Sequence, residues 1–143
     1  MESAHPMVVH FPIALLVTGM GLDATALIFK RPAWHRAALW NLSLGTLGAW
    51  VAVWTGWRAA DIAKHSFEIH QVMELHRKLG LATLILASLV VIWRLWKRDR
   101  LTNRARILAL LVMLAMVGTL SFGAHLGGRL VYEFGVGGQF GKP

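Results

Sequence analysis

Four long apolar runs, spaced by short polar and basic segments, restrict this chain more than any other feature. A helix needs about 20 apolar residues to cross the hydrocarbon of a bilayer. Segments 6–29, 37–57, 79–96 and 107–126 each fall within the usual range. Only helices and closed barrels satisfy every backbone N–H and C=O inside lipid, and runs of this length are helical. Composition agrees: of 143 residues, 56% are hydrophobic and 15% charged, with a mean hydropathy of +0.53. The expected fold is a single all-α integral membrane domain, an antiparallel bundle of four transmembrane helices.

The formal charge of +8 raises the possibility of a nucleic-acid binder. There the basic residues would lie on a polar surface, whereas here they cluster between apolar runs as KRPAWHR and KRDRLTNRAR, so nucleic acid is excluded. By the positive-inside rule these two loops are cytoplasmic. Both termini and the connection 58–78 then lie outside, on the extracytoplasmic face of a bacterial inner membrane. Arg58, Lys64, Arg77, Lys78 and Arg129 give the inverted orientation some counter-signal. No basic stretch or small-residue cleavage site accompanies the first run, so it is expected to remain as a span. Trp34, Trp40, Trp93 and Trp96 fit one interface, Trp54 and Trp57 the other, and Trp50 lies deeper.

Within the connection, Ile62, Ile69, Val72 and Met73 recur at helical spacing against polar neighbours, predicting an amphipathic segment on the outer surface between spans two and three. In span two, Gly45, Ala49, Ala52 and Gly56 form a column of small residues suited to close helix packing. The tail GVGGQFG is glycine-rich and carries no motif.

With no cysteine in the chain, disulfides, thiolate metal sites and covalent haem attachment are impossible. Any cofactor must be held by other side chains, and the histidines are the candidates. His35 lies in a basic loop and reads as a solvated interfacial residue. His5, His10, His65, His70, His76 and His125 all fall on the opposite side. His10, His76 and His125 sit near the outer ends of three different spans. Each continues along its helical face in small residues: Ala14, Thr18 and Gly21; Gly80, Thr83 and Ala87; Ser121 and Gly118. Such columns leave room for a flat macrocycle.

One or two b-type haems are therefore the leading expectation. Spans one and three should lie diagonally across the bundle, making His10 and His76 the natural axial pair. His125 with His70 or His5 would serve a second site, and Arg77 and Arg129 could meet haem carboxylates. Zinc or copper held by His10, His76, His125 and His70 is the alternative, though no HExxH or stacked spacing supports it. Helix-end histidines at headgroup level, with no ligand at all, are the plain structural reading. Asp23, about two turns before Lys30, is an ionisable residue inside a span; Asn41, Ser43 and Arg36 are its expected partners, with a proton relay as the functional alternative. Glu74 could orient His70 or pair with Lys78.

The segments HPMVVHFPIALL, LHRKLG and GAHLGGRLVYEFGVG together resemble a family of small bacterial and archaeal four-span membrane proteins known only as a domain of unknown function. The likeness spans nearly the whole chain, and its motif positions here are His5, His10, Pro12, His76, His125 and Gly127. Some members are joined or adjacent to Rieske-type and other redox proteins, so the resemblance implies a redox component. No nucleophile, acid–base pair or nucleotide loop is visible, which points to an electron-transfer component rather than an enzyme. Expected partners are membrane lipid, a quinone or a redox protein, and a homo-oligomer is possible. A non-redox accessory subunit is the alternative from another class.

Overall fold

The computed structural model describes residues 4–60, 66–97 and 100–136. Its helices are α1 (Ala4–Val8), α2 (His10–Ile28), α3 (Pro32–Ala60), α4 (Phe67–Lys97) and α5 (Asn103–Tyr132). The described residues contain four helices long and apolar enough to cross a membrane, α1 and α2 together forming the first.

Local chemistry explains the boundaries. Pro12 has no N–H to offer the Val8 carbonyl and its ring crowds that oxygen, so the first span breaks at Val9. His10 becomes the first residue of α2, and Pro12 lies in a first turn that tolerates it. At the other end, Lys30 adopts φ 52°, a left-handed turn in which the Arg31 N–H donates to the Ala26 carbonyl at 3.0 Å. Pro32 then opens α3. Thr102 caps α5 by accepting from the Ala105 N–H. Ser66 precedes α4, whose first three turns are the polar segment expected to lie as a separate amphipathic element. Its described part continues directly into the third span, since nothing helix-breaking separates residue 67 from residue 97. Residues 61–65, including His65 and Lys64, lie outside the described residues.

The helices pack in ring order, α2 against α3, α3 against α4, α4 against α5 and α5 against α2, with α2 and α4 across a diagonal. The α2–α3 seam is close because glycines admit side chains: Gly19 receives Leu42, Gly45 receives Leu16, and Gly48 receives Phe11. Of the α3 column read from the sequence, Gly45 has the packing role, whereas Ala49, Ala52 and Gly56 line the cavity described below. Large apolar side chains such as Trp40, Leu47, Trp50, Leu89, Ile92 and Leu114 point outward, the surface that lipid requires.

The two halves of the bundle differ. Toward the basic loops, Leu16, Leu42, Ala87, Val90, Val91, Ala109, Met113 and Met116 form a filled core. The amino-terminal half is hollow, enclosing a cavity of about 350 Å³. Packing at the seam makes a testable contrast. A Cβ at Gly19 would lie 2.8 Å from the Cγ of fully buried Leu42, whereas a Cβ at Gly21 meets nothing within 4 Å. Gly19→Ala should therefore cost about 1–3 kcal/mol. Gly21→Ala should be neutral or slightly stabilising. Thermal unfolding in detergent, followed by circular dichroism, reads the difference.

Candidate cofactor site

The cavity lies between α1, α2, α3, α4 and α5 and is mostly apolar; its polar features are the imidazoles of His5, His10 and His76, the hydroxyls of Thr83, Thr119 and Tyr132, the Trp57 indole and Arg77. His5, from α1, places Nδ1 3.2 Å from Thr55 Oγ1 on α3. Thr55 donates its own proton to the Ala52 carbonyl at 3.0 Å, so its oxygen accepts from His5. His76, from α4, places Nδ1 2.8 Å from the Gly123 carbonyl on α5, which can only accept. His76 consequently carries its proton on Nδ1 and keeps the lone pair on Nε2, while the His5 ring is anchored to α3 through Thr55 and also hydrogen-bonds the Ala52 carbonyl. The His76 tautomer is the one that a metal-ligating histidine presents when its other nitrogen is anchored by an oxygen.

The two ring centroids are 6.3 Å apart, with planes inclined at 81°. Each ring rests against a glycine: a Cβ at Gly56 would come within 2.9 Å of His5, and one at Gly127 within 3.0 Å of His76. Within the α3 column, Gly56 makes room for His5. Below His76, Gly80 faces open space and Thr83 meets Thr119 at 2.9 Å. Seven residues of helix separate His76 from Thr83, so the cavity reaches about 10 Å deep along α4.

The other expected site residues are placed differently. His10 borders the cavity but is exposed, and its column of Ala14, Thr18 and Gly21 lies on the outer surface of the bundle. His125 is exposed and stacked on Phe122, with Ser121 and Gly118 also facing outward. The three columns therefore do not converge; only the one below His76 faces inward. His5, expected at the rim, takes the position facing His76. His70 is exposed in the first turn of α4. Arg77 lines the cavity, whereas Arg129 lies outside the lining and pairs with Glu133 at 2.8 Å. Glu74 pairs with Lys78 at 3.3 Å. Among the described residues no three histidine, aspartate or glutamate side chains gather as a multidentate zinc or copper site would require.

A second polar cluster sits at the basic end. Asp23 is 2% exposed and receives His35 Nδ1 at 2.8 Å and an Arg94 guanidinium nitrogen at 3.0 Å. Arg94 also donates to the His35 carbonyl at 3.0 Å. The expected partners do not serve: Arg36 is exposed and Asn41 donates to the Ala37 carbonyl. His35, expected in solvent, is buried because it satisfies Asp23. The missed signal was depth: Asp23 and Arg94 are ionisable residues near the basic-loop ends of two spans that run in the same direction.

The sequence was compared with known families and structures. A family model described as a predicted membrane protein, DUF2231, matches residues 2–139. The chain belongs to the DUF2231 family. No curated protein and no solved structure matches this DUF2231 chain. Its motif segments now have positions: HPMVVHFP supplies His5 and the break before His10, LHRKLG supplies His76, Arg77 and Gly80, and the late glycines supply the carbonyl of Gly123 and the cradle of Gly127.

Proposed function

We propose that this DUF2231 protein is a b-type cytochrome of the bacterial inner membrane, with His5 and His76 as axial ligands of one haem. The observation that carries this reading is the pair of imidazoles, each anchored through Nδ1 to a different helix, whose rings stand 6.3 Å apart at the lining of a mostly apolar cavity. Metal–imidazole bonds of about 2 Å, with about 1 Å from each nitrogen to its ring centre, put two rings on one iron about 6 Å apart. The separation of 6.3 Å fits. Glycine at residues 56, 80 and 127 removes the side chains that would fill the flanks of such a site. Arg77 at the lining offers a cation for carboxylates. Bound there, haem would supply reversible one-electron chemistry. The protein's part is to fix ligand tautomer, exclude water with apolar walls and hold the carboxylate edge.

The two basic loops favour a cytoplasmic position by the positive-inside rule, which would open the cavity on the extracytoplasmic side. Electrons would pass from a quinol or another membrane donor to an extracytoplasmic redox protein. Detergent-purified protein from haem-replete cells should show the sharp reduced bands of six-coordinate haem after dithionite. A colourless preparation would overturn the proposal, leaving an accessory subunit or, if elemental analysis finds it, a zinc or copper protein.

Orientation has its own check, since the chain contains no cysteine. Glu133→Cys should react with a membrane-impermeant maleimide in intact spheroplasts, and Arg104→Cys only after lysis. The reverse pattern would put the cavity on the cytoplasmic side.

A further inference from the structure

The anchors of the two imidazoles also fix the direction each ring plane faces. Thr55 Oγ1 is held by its bond to Ala52, so the hydroxyl cannot swing away from His5. Gly123 belongs to the backbone of α5, and its carbonyl direction is set by the helix. Gly56 and Gly127 leave room beside the two rings, since a Cβ at Gly56 would come within 2.9 Å, and one at Gly127 within 3.0 Å, of an imidazole carbon. The two anchors come from different helices, α3 and α5, and the ring planes stand at 81°.

Resting on the haem reading above, we infer that the His5 and His76 imidazole planes stay near-perpendicular when they ligate iron, and that Thr55 is the positioning residue that holds His5 in that plane. The electronic consequence follows from orbital overlap. Parallel axial imidazoles both interact with the same iron d orbital of π symmetry and split it from its partner. Perpendicular planes interact with one each and leave the two nearly degenerate. A ferric low-spin centre of the second kind has a highly anisotropic electron paramagnetic resonance spectrum dominated by one large g value; the first kind gives three resolved, rhombic features.

The test is the low-temperature spectrum of the oxidised, purified protein and of two variants. Wild type should show the single large-g feature. Thr55→Val removes the oxygen that accepts from His5 Nδ1–H while conserving shape, so its spectrum should shift toward the rhombic pattern with the haem content retained. Thr55→Ser restores the oxygen and should restore the large-g feature. A rhombic wild-type spectrum would overturn the inference while leaving the haem assignment intact. A large-g spectrum unchanged in Thr55→Val would remove Thr55 from the role. Protein that binds no haem would refute both the proposed function and this inference, and the optical spectrum separates that outcome from the others.

Discussion

If His5 and His76 hold a haem as proposed, His5→Ala and His76→Ala should each abolish the six-coordinate bands, while His10→Ala and His125→Ala should keep a wild-type spectrum. The expected loss is large because even an outer anchor of a ligating histidine typically contributes 10–100-fold in affinity, and an axial ligand contributes more. Haem content after purification, measured with the reduced-minus-oxidised spectrum, distinguishes the pairs. The prediction turns on which way α1 and α2 present their histidines. His5 and His10 are five residues apart, so on one regular helix they would point about 140° from each other. Only one can face the cavity squarely, and the contacts with Thr55 and Gly56 select His5. Loss of the bands in His10→Ala with retention in His5→Ala would return the axial role to His10.

Removing one member of the buried cluster at the other end should be the most damaging change to stability. Arg94→Met leaves the Asp23 carboxylate facing His35, and Asp23→Asn takes the Asp23 charge away from the Arg94 guanidinium. Breaking a buried ion pair from one side costs about 3–5 kcal/mol. The double variant Asp23→Asn, Arg94→Met should recover much of that loss, since no isolated charge remains inside. Denaturant unfolding in detergent measures the cycle. Additive losses in the double variant would mean that the two residues act independently despite their 3.0 Å contact.

These two sites show how differently sequence informs fold and site in a membrane chain. The four spans were readable because length and hydropathy are one-dimensional properties. Trp and basic residues marked the boundaries for the same reason. Which face of each span turns inward was not readable: in water an apolar stripe marks the buried side, but lipid makes the outer face apolar as well. The small columns below His10 and His125 therefore looked like those of an interior and lie outside. Small residues did locate one interior face, at Gly80 and Thr83 below His76. Gly56 was legible as part of a packing column, yet its role depends on an imidazole 51 residues away in sequence. His35 was misplaced because its burial follows from a partner on α2 and another on α4, neither adjacent to it.

The unequal halves of the bundle bear on what can move through it. The cavity lining ends at the level of Leu16, Thr83 and Leu120, and beyond it Val90, Met113 and Met116 are essentially fully buried, with the Asp23, His35 and Arg94 cluster tying three helices together farther on. The hollow is thus a blind well. Among the described residues, a solute that enters this cavity meets a filled core at its floor and leaves by the same mouth.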